Sequence, residues 1–338
     1  MTSFLLFSNN IDHERNIMQS LHLHIIANEN AGSGNGTQIL LDVKKHLITH
    51  QIPFTIHLSE YAGHAITLTE TLAKTTLRTW QENDGTNHES YPLLVALGGD
   101  GTVFEIQNGL ANYPTIPFAY IPSGSGNDFA RSANISREPI EALKQLLNAT
   151  SPSSFYSLKY DEQTTKESFI ISNNLGIGLD ASVVAKTNES KNKTTLNKLK
   201  LGSLAYLFSM IGLLFKQKGF KLTVNDGQTT KQFNNAYLVT NSKHPYFGGG
   251  VKILPNASIE EPELELIVVE KISYLKIARL LAKLAKGTHT SSPYVTIFRS
   301  KTMHLMTKSR QYGQMNGEVI EPRAFNAILS TVEHLIWK

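Results

Sequence analysis

The stretch Val95–Ala111, VALGGDGTVFEIQNGLA, decides the fold. An apolar run ends there in Gly98-Gly99-Asp100-Gly101-Thr102, and Val103, Ile106 and Leu110 then recur at helical spacing. The pattern predicts a buried strand over Pro92–Leu97, a tight turn and a helix. Glycines in such a turn let the main chain come close to a ligand, and the helix N-terminus directs free amides toward it. Phosphate suits that arrangement. The plainer alternative is a βα turn in which Asp100 caps the following helix.

Outward from this stretch, the first half alternates strands and helices. Leu21–Ala27 (LHLHIIA) reads as a strand, then comes the polar turn NENAGSGNG and a helix near Gln38–Ile48. A strand over Ile52–Leu58, a helix from His64 to about Trp80 and a solvated loop over Gln81–Tyr91 follow. Beyond the central motif lie a strand at Ile116–Ile121 and the turn PSGSGND. Strand–helix alternation of this kind argues a parallel sheet with helices on both faces. From about residue 152 the texture changes to short β-rich runs such as ELELIVVE and PYVTIFR, with turns such as Asn225-Asp226-Gly227. The expected architecture is therefore α/β. A parallel-sheet nucleotide-binding domain over 21–151 precedes a mostly antiparallel, β-sandwich-like domain over 152–321. Residues 322–338 are expected to return to the first domain.

A chain of 338 residues can bury a large core and divide into two domains. Its composition, 41% hydrophobic and 18% charged, is that of an ordinary globular protein. A net charge of +4 allows attraction to an anionic surface but gives no reason to expect nucleic acid as a partner. The absence of cysteine excludes disulfides, thiolate metal sites and thiol catalysis. Residues 1–20 lack the features of a signal peptide, and the apolar run Leu201–Phe215 is short for a membrane span. A cytoplasmic protein is expected.

Three glycine-rich turns follow three successive strands: Asn28–Gly36, Gly98–Thr102 and Pro122–Asp128. Turns at the carboxyl ends of strands in an open α/β sheet line one crevice. None is a Walker loop, and none fits the dinucleotide fingerprint. Asp100 adds a carboxylate suited to a magnesium ion bridging phosphates. His22 and His24 share a strand face but have no third ligand nearby, so no metal is assigned to them.

GGDGTVFEIQNGL with IPSGSGNDFAR resembles the diacylglycerol kinase catalytic-domain family, which includes bacterial diacylglycerol kinases, sphingosine kinases and ceramide kinases. SNNLGIGLDASVV and YFGGGVKILPNA also look like this family, and the likeness runs from about Leu21 to near residue 320. GGDGT is shared with NAD kinases; the turn Pro122–Arg131 favours the lipid kinases. The resemblance implies an active site between two domains, with ATP and Mg²⁺ as cofactors. It implies that Asn28, Ala31, Gly32, Ser59, Gly98, Gly99, Asp100, Gly101, Thr102, Ser125, Asn127 and Asp128 bind the nucleotide. Ser59 and Ser125 stand where threonine is common and keep the hydroxyl.

Two places depart from the family pattern. A structural magnesium site is implied around Ser258, Glu261 and Glu263, where an aspartate-glycine pair is usual and this chain reads Glu260-Glu261-Pro262-Glu263. Near the end, the family's Asp-Gly-Glu is replaced by Asn316-Gly317-Glu318. An amide is no general base, so the catalytic set implied is Asp100 and Glu318, with Asn316 in the aspartate's place.

Lys186–Lys200 holds five lysines directly before the apolar run. Lys276, Arg279, Lys283 and Lys286 share one helical face, while Ile277, Leu280, Leu281 and Leu284 occupy another. Such a face docks on anionic headgroups or is simply solvated. The expected function is transfer of the γ-phosphoryl group of ATP to a lipid hydroxyl, diacylglycerol first, at a membrane surface visited transiently. A homodimer is compatible with it. The rivals are an NAD-kinase-like enzyme with a soluble substrate and a non-catalytic nucleotide- or lipid-binding regulator.

Overall fold

The structure is a computed structural model that describes residues 21–81, 90–179, 181–182, 217–247 and 250–338. Residues 1–20, most of the loop before Tyr91, and the stretches Lys186–Lys200 and Leu201–Phe215 lie outside the described residues. The chain forms two compact units: 1–125 with 134–154 and 334–338, and 126–133 with 155–333.

The first unit is a parallel sheet. Its strands β1 (Leu21–Ala27), β2 (Phe54–Leu58), β3 (Tyr91–Gly98) and β4 (Phe118–Pro122) lie in the order β2-β1-β3-β4. The helices in chain order are α1 (Ala31–Gly34), α2 (Gly36–Thr49), α3 (His64–Thr75), α4 (Asp100–Gly109), α5 (Asp128–Ser132) and α6 (Pro139–Asn148). Of these, α5 clusters with the second unit. Strand β3 is buried at every position but Pro92, as expected for a parallel strand covered on both faces. Leu23, Ile25, Val95 and Ile121 pack there with Leu40, Val43 and Leu47 of α2 and Leu143 of α6. Helix α3 stops at Thr75, short of the expected Trp80. Consecutive β-branched Thr75 and Thr76 are poor helix formers, and Trp80 packs edge-on against Trp337, ring centroids 5.0 Å apart. Ile336 pairs in parallel with Phe118, and the Trp337 indole N–H donates to Leu146 O at 2.9 Å.

The second unit is antiparallel. It holds β5 (Ser153–Glu162), β6 (Ser168–Ile171), β7 (Asn174–Gly178), β8 (Phe220–Asn225), β9 (Thr230–Ser242), β10 (Tyr246–Phe247) and β11 (Val251–Lys252). There follow β12 (Leu264–Glu270), helix α7 (Tyr274–Ala285), β13 (Val295–Ser300), β14 (Thr302–Thr307), β15 (Gln311–Met315), β16 (Glu318–Arg323) and β17 (Asn326–Ile336), whose residues from His334 on belong to the first unit. The long β9 organises it, pairing with β7, β8 and β12, while β15 joins β7 to β16. Leu175, Ile177, Val224, Val239, Leu266 and Leu305 fill its core.

Candidate functional site

In the first unit the strand registers place every predicted turn at one edge of the sheet. Ala27 is level with Leu58 and Leu97, and Gly98 is level with Pro122. Asn28 N donates to Leu97 O, Ser59 N to Ala27 O and Ser123 N to Gly98 O, at 3.0, 2.9 and 2.7 Å. These bonds bring Asn28–Gly32, Ser59, Gly98–Thr102 and Ser123–Ser125 to the carboxyl ends of the strands, where open α/β sheets bind ligands. Contacts are close. A Cβ on Gly32, whose φ is +63°, would lie 2.1 Å from Ser123 O, so only glycine fits.

The structure settles the local role of Asp100. Gly99, in extended conformation, is the N-cap of α4 and has no side chain with which to cap it. Asp100 therefore sits inside the first turn rather than at the cap, where a carboxylate suits the positive end of the helix. Beneath it Tyr120 is buried with its hydroxyl donating to Gly98 O at 3.3 Å. Burial pushes that phenol well above its usual range, and the charge of Asp100 adds to the effect. Glu105, from the same motif, has a structural role. Its carboxylate accepts Gly63 N and Ala65 N and so holds the start of α3.

In the second unit several motifs far apart in sequence meet in one polar cluster. Asn127, at φ +51°, is the N-cap of α5, and both it and Asp128 are buried. Arg131 donates to Asp128 Oδ1 at 2.8 Å, and its guanidinium lies 4.9 Å from the centre of the Tyr246 ring. Tyr246 N donates to His244 Nδ1, so His244 Nε2 carries the proton it donates to Asn173 Oδ1 at 3.0 Å. Burial and then the Arg131 charge hold His244 down at about 4, so the ring is neutral at pH 7. Asn173 N in turn donates to Asn316 Oδ1 at 2.8 Å. Gln314 donates to Asn174 Oδ1 and accepts Gly317 N.

Asn316 and Gly317 form the two-residue turn between β15 and β16, with φ of +51° and +85°. Asn-Gly is the pair such a hairpin turn prefers. The amide thus shapes the turn and ties it to Asn173 and Asn174, through Asn316 Oδ1 and Asn316 N. Glu318, the first residue of β16, is exposed next to it.

Helix α7 has the two faces its spacing predicts. Ile277 is buried, and Leu280, Leu281 and Leu284 line a cavity of about 100 Å³ together with Leu238, Ile253 and Ile267. Lys276, Arg279, Lys283 and Lys286 are exposed, as are Leu275 (75%) and Tyr274 (51%).

Comparison with known proteins supports the two-part fold. Residues 22–155 match the diacylglycerol kinase catalytic domain, and 173–329 match the YegS C-terminal NAD kinase β-sandwich-like domain. The candidate lipid kinase YtlR of Bacillus subtilis is 30% identical over 310 residues, covering 90% of this chain and 95% of that protein. The chain belongs to the diacylglycerol kinase catalytic-domain family. A Staphylococcus aureus diacylglycerol kinase is 27% identical, over 81% of this chain and 82% of its own. A candidate diacylglycerol kinase from Bacillus anthracis superposes with a TM-score of 0.72 at 22% identity, covering 95% of each chain, a likeness of fold.

Within this family fold, the acidic turn does not fit the structural magnesium ion expected at Ser258, Glu261 and Glu263. Lys243 Nζ donates to the carbonyls of Glu261 and Glu263, and the Glu263 carboxylate pairs with Arg299 at 2.9 Å. Ser258 Oγ accepts Glu260 N at 3.1 Å. Burial lowers Lys243 to about 8, opposed by the charges of Glu261 and Glu263, so it stays an ammonium at pH 7. The Lys243 ammonium thus already occupies the carbonyls of Glu261 and Glu263, and Arg299 the Glu263 carboxylate, where a divalent ion would need them. Among the described residues no group of three or more histidines or carboxylates gathers to hold a metal.

The sequence motifs name the turns but not the side chains that join them. Arg131, Asn173, His244, Tyr246 and Gln314 are not singled out by spacing or composition. Ser172-Asn173-Asn174, a polar triplet directly after β6 and running into β7, opens the motif SNNLGIGLDASVV and is the signal in the sequence that points to the cluster. No helix of the described residues is long and apolar enough to cross a membrane.

Proposed function

We propose that this chain is an ATP-dependent lipid kinase whose first substrate is diacylglycerol and whose product is phosphatidic acid. The cavity beneath α7 carries the reading. Its walls are mostly leucine, isoleucine and valine with Tyr237 and Phe247, and Glu270 and His289 bring the only carboxylate and imidazole among them, so an acyl chain is welcome there and a polar substrate would lose most of its hydrogen bonds to water without replacement. The lipid oxygen forms a bond to the γ-phosphorus as the bond from that phosphorus to the β-bridging oxygen breaks, and ADP leaves. The lipid proton passes to a base, for which Glu318 is the first choice.

Gly98, Gly99 and Gly101 would let the main chain approach the phosphates, with Asn28, Ala31, Gly32, Ser59, Thr102 and Ser125 around the nucleotide. Asn127 and Asp128 complete that set. Magnesium enters as part of the nucleotide substrate, and Asp100 would hold it while the α4 amides offset phosphate charge. The basic face of α7 would bring the protein to an anionic membrane from the cytoplasm, transiently.

The test is incubation with labelled ATP, magnesium and a total lipid extract, followed by identification of the labelled product. A labelled lipid alcohol is expected, and Asp100→Asn should lower its rate about a hundredfold or more, as loss of a preorganised charge does. A labelled product formed without lipid would point to a soluble acceptor. ATP binding with no turnover would point to a regulator.

A further inference from the structure

Lys243 follows the last residue of β9, and its side chain has no exposure to solvent. An ammonium is rarely taken out of water without compensation. Here Nζ donates to Glu261 O and to Glu263 O, the latter at 2.5 Å, and lies 5.7 Å from the centre of the Tyr156 ring. Other groups of the turn are committed as well. Pro262 O accepts Thr331 Oγ1 at 2.8 Å, Ile259 O accepts Tyr156 N at 2.7 Å, and Arg299 neutralises Glu263. Magnesium demands near-octahedral oxygen coordination, and a calcium ion asks for more oxygens still. A second cation among these carbonyls would also face the Lys243 charge at short range, with little water to screen it.

We infer that Lys243 is the resident cation of the acidic turn, replacing a structural divalent ion with a covalently tethered ammonium. The second unit then holds residues 258–263 in place at any magnesium concentration. The protein's magnesium requirement is thereby confined to the nucleotide. This inference stands whatever the phosphate acceptor is, because it concerns only contacts within the turn.

The experiment uses the full chain without nucleotide and Mn²⁺ as the probe. Electron paramagnetic resonance reads free Mn²⁺ in the presence of the parent and of Glu261→Ala, and thermal unfolding compares the parent with Lys243→Ala. The expected result is the same free Mn²⁺ signal for parent and Glu261→Ala, and a Tm at least about 5 °C lower for Lys243→Ala, since removing one partner of a buried charged contact is strongly destabilising. Mn²⁺ held by the parent and released by Glu261→Ala would make the turn a metal site and overturn the inference. So would an unchanged Tm in Lys243→Ala. If Lys243→Ala does not fold, the Mn²⁺ comparison between parent and Glu261→Ala decides alone.

Discussion

Asn316 shows how one side chain can be judged by its motif and again by its neighbours. By motif it stands where the resembled family carries an aspartate; by geometry it is the first residue of an Asn-Gly hairpin turn, bonded to Asn173 N. Aspartate tolerates positive φ nearly as well and presents the same accepting oxygen, so Asn316→Asp should fold like the parent. If the proposed kinase reading holds, that variant should keep or raise the rate, while Glu318→Gln should cost roughly a hundredfold or more. Steady-state kinetics on mixed micelles would check both. An unaffected Glu318→Gln would place the base elsewhere. His244 offers a pH test of the same cluster. Its folded value near 4 lies below the ordinary 6.5, so the unfolded chain binds the extra proton first. Stability from this residue is complete above about pH 6.5 and is lost as pH falls toward 4, about 3 kcal/mol in all. Urea unfolding at stepped pH should show that loss in the parent on top of those from His24 and His334, which burial also holds at about 4, and His244→Gln should remove only its own share. The glycine turns were legible because turn chemistry is local: Gly32, Gly98 and Gly101 announce themselves wherever they stand. The His244–Asn173–Asn316 chain was not, because its members lie in three distant segments and meet only through the register of β7, β9 and β15.

At the level of elements, the two faces of helix α7 were readable. Its charges and leucines separate at helical spacing, and the structure buries the face that the spacing selects. What the spacing could not tell was that Tyr274 and Leu275 stand exposed at the helix start beside Lys276. That combination of basic and apolar groups suits an interface better than bulk water. Changing Lys276, Arg279, Lys283 and Lys286 to glutamate should sharply reduce sedimentation with anionic vesicles at low salt, since each such charge contributes roughly 1 kcal/mol near the surface. Added salt should narrow the difference. Equal sedimentation of both proteins at low salt would leave this face merely solvated. Helix α3 is shorter than its spacing predicts for the opposite reason: the apolar pattern continues to Trp80, but tertiary contact claims that ring for the Trp337 cluster.

On the scale of the molecule, the first unit is assembled from three separate segments, and its last one, 334–338, carries a fully buried indole. Trp337 packs on Trp80 and Tyr91 and donates to Leu146 O. The chain has 2 tryptophans, and both are here, so intrinsic tryptophan fluorescence reports this core alone. Trp337→Ala should destabilise the first unit by about 3–5 kcal/mol, the usual scale for a buried aromatic, visible as an earlier urea transition in Trp80 emission. An unshifted transition would mean that the segment only rests on the core.

That discontinuity also sets a timetable for the ribosome. Strand β1 is among the first described parts to emerge, yet the sheet it belongs to lacks a core residue until position 337 has been made. At ordinary synthesis speeds the wait is on the order of tens of seconds. Throughout it, the strands β1 to β4 have one another but lack the pairing of Ile336 with Phe118 and the Trp337 ring, so apolar surface stays uncovered, which is the condition chaperones recognise. The same timetable bears on the bench: a fragment cut after residue 154 would omit the piece that completes its own core, and grafting 334–338 onto its end is the way to make that fragment whole.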